Sequence, residues 1–149
     1  MEVKMLVQDI LLKKGNEIIH IEPEATVFDA ISKMSERNVG ALLVMEHDKL
    51  AGIISDKDYR NKVILKGRTS KETRVKEIMT SDLITVTGRE YMETCMAIMT
   101  EKKIRHLPVL DGDKLVGIIS IGDLVKAIID RQKEEINDLK KYISGSYPS

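Results

Sequence analysis

The chain has 149 residues, of which 42% are apolar and 32% charged, with 24 basic side chains against 24 acidic. That length supports one compact body burying roughly 68–70% of its unfolded surface, and zero net charge argues against a nucleic-acid binder, which carries a basic excess. No apolar run of 18 residues is present to cross a membrane. Met1 to Met5 lacks a signal peptide, and the single Cys95 excludes an internal disulfide and a cysteine-pair metal site, so a cytoplasmic protein is expected.

Residues 5–13 read as a short amphipathic helix with Met5, Ile10 and Leu12 inward, ended by Lys14-Gly15-Asn16. Ile18 to Ile21 is a short strand. Thr26 is a good N-cap for a helix over 27–37, where Val27, Ala30, Ile31 and Met34 fall at helical spacing. Ala41 to Met45 is a strand whose apolar run implies two buried faces. A polar turn, Glu46-His47-Asp48-Lys49, leads into the partner strand Leu50 to Ile54. Ser55 then caps a helix from Asp56 to about Leu65, and residues 66–74 form a polar linker. Beyond it come a helix at 75–79, a strand at 83–86, a helix at 91–102, strands at 107–110 and 114–119, and a helix from Ile121. Ile121, Leu124, Val125, Ile128, Ile129, Ile136, Leu139 and Ile143 keep a helical period that carries this last helix to about Tyr142, with a stop at Gly145 and a loose tail, Ser146 to Ser149. Aromatic side chains are few, so the core is aliphatic.

The second half repeats the first. Residues 18–60 lie on 83–125 at an offset of 65 with no gap, and 13 of the 43 positions are identical, Gly52-Ile53-Ile54-Ser55 and Gly117-Ile118-Ile119-Ser120 among them. Ahead of this, Val7 to Ile10 matches Val75 to Ile78 at an offset of 68. The expected fold is mixed α+β: two β-α-β-β-α units in pseudo-twofold packing, each preceded by a short helix, with a long C-terminal helix. The units span 7–65 and 75–130, and 131–149 is a helical extension and tail. Two such units imply two equivalent clefts.

Each copy ends a buried strand in Ser-x-x-Asp: Ser55 and Asp58, then Ser120 and Asp123. One reading is a plain capping box. The other is a ligand site, because a serine donates to a phosphate oxygen and an ionised aspartate accepts from two ribose hydroxyls. The acid is Asp both times, although Glu reaches the N-cap amide better, and the preceding Gly lets a ligand come close to the backbone. Both readings can hold together. Arg105 and His106 open the middle strand of the second copy, where the first has Gly40 and Ala41; two basic groups at a strand mouth suit phosphate. Eight basic residues lie between Lys57 and Lys76, most of them on a solvated linker, with Lys57 and Arg60 placed to reach a phosphate. No nucleophile–base pair, no metal-ligand spacing of the three histidines and no phosphate-loop glycine pattern occurs, so neither catalysis nor a metal is expected.

The duplicated unit ending in G-I-I-S-x-x-D, together with Ile78-Met79-Thr80 and Ile104-Arg105-His106-Leu107-Pro108-Val109, resembles the cystathionine β-synthase (CBS) domain in its tandem pair, the Bateman module. Asp58-Tyr59-Arg60-Asn61-Lys62-Val63-Ile64 with Gly67, Ser70 and Thr73, and the tail from Leu139 to Gly145, look like a stand-alone two-CBS subfamily of prokaryotes and organelles. The resemblance implies a sensor of AMP, ADP or ATP, with S-adenosylmethionine or NAD ranked behind them. Such a module forms a homodimer and acts on a separate effector protein. One cleft would use Ser55, Lys57 and Asp58 with Leu83, Ile84, Ile104, Arg105, His106 and Pro108. The other would use Ser120 and Asp123 with Ile18, Ile19, Val39, Gly40, Ala41 and Leu43. The first, with Arg105 and His106, is expected to bind more tightly. The alternative is a scaffold that dimerises through its helices with the clefts empty.

Overall fold

The computed structural model describes residues 4–15 and 17–144. The helix stop at Gly145, the tail Ser146 to Ser149 and Asn16 of the first turn lie outside the described residues. Helix α1 (Val7–Lys14) precedes strand β1 (His20–Ile21), helix α2 (Val27–Arg37), strands β2 (Ala41–Glu46) and β3 (Lys49–Ser55), and helix α3 (Asp56–Lys62) with a 3-10 turn at Ile64–Lys66. The second series is α4 (Val75–Ile78), β4 (Val86–Thr87), α5 (Met92–Lys102), β5 (His106–Asp111), β6 (Lys114–Ser120) and α6 (Ile121–Ser144). The sheets have the orders β1-β2-β3 and β4-β5-β6. β1 runs parallel to β2 (His20 opposite Leu43), and β2 and β3 form an antiparallel hairpin from Ala41 opposite Ser55 to Glu46 opposite Lys49. The architecture is the mixed α+β duplication that the repeat implies.

The chain forms two compact units that do not follow the repeat. Among the described residues, one gathers 17–86 with 108–118; the other gathers 4–15, 87–107 and 119–144. Thus α4, which opens the second copy, belongs with most of the first, and α1, which opens the first, belongs with α5 and α6.

In the first of these units the core joins Val27, Ala30 and Met34 of α2, Leu42 and Val44 of β2, Ile54 of β3, Val63, and Val75 and Ile78 of α4. The α2 residues recur every three to four positions, which places them on one helical face. Leu42 and Val44 share one face of β2; Ala41 and Leu43, on the other, are buried too. The side chain of Thr26 caps α2 by accepting from the Asp29 N–H at 3.1 Å. The hairpin tip places His47 (φ 50°) and Asp48 (φ 62°) in the left-handed region that a two-residue turn requires.

The expected linker is part of this unit. The carbonyls of Thr73 and Ser70 accept from the N–H groups of Val27 (2.8 Å) and Phe28 (3.0 Å), two donors that the first turn of a helix leaves without helical partners. Thr73 is buried, and its hydroxyl donates to the Thr69 carbonyl at 2.7 Å. The basic side chains of this stretch stay exposed, as expected; its backbone does not behave as a solvated connector.

In the second unit, Val7, Ile10 and Leu11 of α1, Met92, Cys95 and Met99 of α5 and Leu124 of α6 are buried. Leu12, expected inward, is 78% exposed. Leu11 takes that place, because residues 7, 10 and 11 share a face and residue 12 lies about 100° away. The first strands of the two copies are also shorter than the strands expected at 18–21 and 83–86, at two residues each, His20–Ile21 and Val86–Thr87.

Candidate functional site

Each Ser-x-x-Asp segment joins the end of a strand to the start of a helix, so its serine still has extended backbone while its acid sits in the first helical turn. In the first copy, the Ser55 N–H and hydroxyl donate to Oδ2 of Asp58 at 3.0 and 3.1 Å, and the Asp58 N–H donates back to the serine oxygen at 3.3 Å. Lys62, one turn on, reaches Oδ1 at 2.9 Å and also donates to the Ile78 carbonyl at 2.9 Å. Asp58 is buried. A buried carboxylate needs such partners, since losing water without compensation is costly. A carboxylate offers about four acceptor positions, so three bonds leave room for a ligand hydroxyl, and rotation of the Ser55 hydroxyl opens another.

The second copy repeats the box. The Ser120 N–H donates to Asp123 Oδ2 at 2.8 Å, and the Asp123 N–H donates to Ser120 Oγ at 3.1 Å. Its cation is Lys14 at the end of α1, 2.7 Å from the same Oδ2. Burial pushes the Asp123 carboxyl up, but the Lys14 ammonium and the Ser120 hydrogen bonds outweigh it and hold the pKa below its ordinary value. The capping box is therefore present twice, and each acid has a lysine beside it. Lys62 is legible as the i+4 partner of Asp58. Lys14 is 109 residues from Asp123 and carries no local signal.

The strand mouths are tied by their backbones to the helix starts of their own copies. The Asp56 N–H donates to the Gly40 carbonyl at 3.0 Å, and the Ile121 N–H to the Arg105 carbonyl at 2.9 Å. Of the residues expected around Ser55, the unit holding it also contains Lys57, Asp58, Leu83, Ile84 and Pro108; Ile104, Arg105 and His106 belong to the other unit. Of those expected around Ser120, that residue's own unit contains Asp123, whereas Ile18, Ile19, Val39, Gly40, Ala41 and Leu43 belong to the other. Lys57, Ile84 and Arg105 are exposed; Ile18, Ile19, Leu83, Val39, Gly40, Ile104 and His106 are half-buried; Ala41, Leu43 and Pro108 are buried.

One expectation is corrected. The glycine before the first motif does not serve to let a ligand approach the backbone. A Cβ on Gly52 would lie 2.8 Å from the Thr80 carbonyl oxygen and 2.9 Å from the Met79 sulfur. The space belongs to the Met79–Thr80 segment, which crosses there and pairs with β3 through two 2.9 Å hydrogen bonds between Ile53 and Thr80.

Among the described residues no three His, Cys, Asp or Glu side chains converge as a metal site, and no helix is long and apolar enough to cross a membrane. Burial, with a contribution from Glu90, pushes the Cys95 thiol up to about 11, which makes it a poor nucleophile. In the basic stretch, Lys62 is held by Asp58, Arg68 by Glu77 (2.5 Å) and Lys76 by Glu24 (2.7 Å), and Lys71 lies over the Phe28 ring. These charges are largely committed within the fold.

Comparison with known proteins agrees with the duplication. The CBS domain family model matches twice, at residues 7–64 and 75–130. The mitochondrial CBS domain-containing protein CBSX3 of Arabidopsis thaliana is 40% identical over 150 residues, covering 95% of this chain and 73% of that protein. Among solved structures, a protein with CBS domains from Burkholderia ambifaria MC40-6 is 48% identical with a TM-score of 0.83, covering 86% of this chain and 96% of that one. The CBS domain structure NE2398 is 45% identical with a TM-score of 0.82, covering 85% and 99%. The chain belongs to the CBS-domain family and carries the domain twice.

Proposed function

We propose that this protein senses an adenine nucleotide, AMP, ADP or ATP, and passes the state of binding to a separate effector protein without catalysing a reaction. CBS-domain pairs are, as a class, regulatory and ligand-binding. The observation that carries the finer reading is the pairing, in both copies, of a serine–aspartate box with a lysine: Ser55, Asp58 and Lys62, and Ser120, Asp123 and Lys14. The carboxylate accepts from a ribose diol, and the lysine and serine hydroxyl meet a phosphate. The exposed Lys57, two residues after Ser55, supplies a further cationic group in the first copy. S-adenosylmethionine and NAD share the ribose and stand behind the three nucleotides. The cytoplasm is the compartment proposed, on the single reduced cysteine; the Arabidopsis relative is a mitochondrial protein.

Thermal melts and calorimetric titrations with the five ligands test this. At a ligand concentration 100 times Kd, binding to the folded state adds about 2.7 kcal/mol, a melting shift of roughly 5–10 °C for a chain of this size. Asp58→Ala is expected to remove most of the response and Asp123→Ala less. If none of the five ligands moves the melting point, the proposal fails; if Asp123→Ala has the larger effect, the order of the two sites is reversed.

A further inference from the structure

Helix α3 ends in a turn that faces two large aliphatic side chains outward. Val63, the C-cap of α3, is buried and fills the inward position. The chain then tightens into the 3-10 turn Ile64–Lys66 and reverses at Gly67 (φ 70°). The Val63 carbonyl accepts from the N–H groups of Lys66 (3.2 Å) and Arg68 (3.0 Å), and the Ile64 carbonyl from that of Gly67 (3.1 Å). Ile64 and Leu65 are 54% and 69% exposed. A hydrogen-bonded turn holds them in solvent, so their exposure is built into the fold rather than the result of a fraying end.

The charge around this pair is one-sided. From Tyr59 to Lys71 the chain carries Arg60, Lys62, Lys66, Arg68 and Lys71 and no acid, in a protein whose net charge is zero. Glu72 is the first acid beyond it. Lys62 is paired with Asp58, and Arg68 with Glu77. Among the described residues Arg60 and Lys66 pair with no carboxylate, and Lys71 lies over the Phe28 ring. Arg60 stands one turn before Ile64, and Lys66 follows Leu65 directly.

We propose that this turn docks the protein on a membrane surface rich in anionic lipid. Ile64 and Leu65 enter the boundary between headgroups and acyl chains, and Arg60, Lys66 and Lys71 meet the lipid phosphates and carboxylates. A lipid surface offers hydrocarbon and negative charge together, which is what an aliphatic pair ringed by cations fits. Two side chains fall far short of the roughly 800 Å² per partner that a stable protein interface buries. A single-stranded nucleic acid stacks its bases on aromatic rings, and an aliphatic pair offers none. Docking of this kind does not depend on the nucleotide site.

Co-sedimentation of the full chain with vesicles tests it, using phosphatidylcholine alone and phosphatidylcholine with about one-third phosphatidylserine. Binding is expected to the anionic vesicles only, and to weaken as salt rises and screens the charges. Ile64→Ser and Leu65→Ser are each expected to weaken it roughly five- to thirtyfold, from the apolar area lost, with helix content and melting unchanged. Arg60→Gln and Lys66→Gln are each expected to weaken it about fivefold. Leu12→Ser, at a side chain 78% exposed in the other unit, should leave binding unchanged. No binding to the anionic vesicles, equal binding to phosphatidylcholine alone, or binding that survives both serine variants of the turn overturns the proposal. So does binding that Leu12→Ser weakens as much as Leu65→Ser. Polyglutamate or single-stranded RNA bound by the wild type, with the same loss on Leu65→Ser, would assign the turn to an acidic macromolecule and overturn the lipid assignment.

Discussion

Gly52→Ala is the perturbation for which packing and ligand access make opposite forecasts. The glycine is not among those with positive φ, so alanine meets no backbone strain and the added methyl alone decides the outcome. It would stand 2.8 Å from the Thr80 carbonyl oxygen, where ordinary contact begins at 3.4 Å. Met79 can swing aside; Thr80 cannot, because its N–H and C=O are both bonded to Ile53. Relief requires the crossing segment to move by about 0.6 Å, the difference between those two distances, against hydrogen bonds worth about 0.5–1.5 kcal/mol each. Overpacking of this kind costs about 1–3 kcal/mol, partly offset by the reduced freedom of alanine in the unfolded chain, about 0.4–1 kcal/mol. A net loss of about 1–2 kcal/mol lowers Tm by roughly 2–8 °C for a chain of this length. Differential scanning calorimetry of the ligand-free protein measures it. An alanine variant that melts with the wild type while losing nucleotide binding would refute the packing account and restore ligand approach as the reason for the glycine.

Thr73→Val keeps shape but removes the donor to the Thr69 carbonyl, and is expected to cost about 0.5–1.5 kcal/mol in urea unfolding; no loss would mean that the 66–74 segment contributes no order. Lys103 ends α5 at φ 56°, so Lys103→Gly should stabilise by about 0.5–1 kcal/mol, the left-handed cost less the entropy of glycine. Asp123 titrates below its ordinary value in the folded state, so its contribution to stability is complete above the unfolded pKa of about 3.9 and is lost as pH falls through the lower folded value. Lys14→Met removes the main opposing cation and leaves burial to dominate; carboxyl NMR titration should show the Asp123 pKa rising, and acid unfolding should begin at higher pH. The Cys95 thiol, at about 11 and buried, should react with a thiol reagent at pH 8 only as fast as the protein opens.

Periodicity and repetition made most of the fold legible. The α2 boundaries, the two hairpins and the Thr26 cap follow from signals a few residues apart, and the duplication checks each reading against its twin. Where the reading slipped, the deciding contact was remote. Leu12 is the exception: Leu11 shares the helical face of Val7 and Ile10, a local signal that separates it from an equally apolar neighbour. The 66–74 segment is polar in its side chains, yet its carbonyls serve α2 about 45 residues earlier in the chain. Gly52 has the same local setting whether a ligand or Thr80 lies against it. At the candidate site the Ser–Asp boxes are local and were visible; Lys62 could have been found from its spacing, but Lys14 could not.

The membership of α1 has a consequence for synthesis. Its buried face belongs with α5 and α6, and Lys14 meets Asp123 across 109 residues. At roughly 5–20 residues per second, Lys14 is made some 5–20 s before Asp123. The Val7–Ile10–Leu11 face of α1 must wait through that interval without its final partners. The other unit needs only residues up to about 86 for most of its core, so it is expected to form first on the nascent chain. A truncation series presented to limited proteolysis should show protection of α2 to α4 well before α1 is shielded.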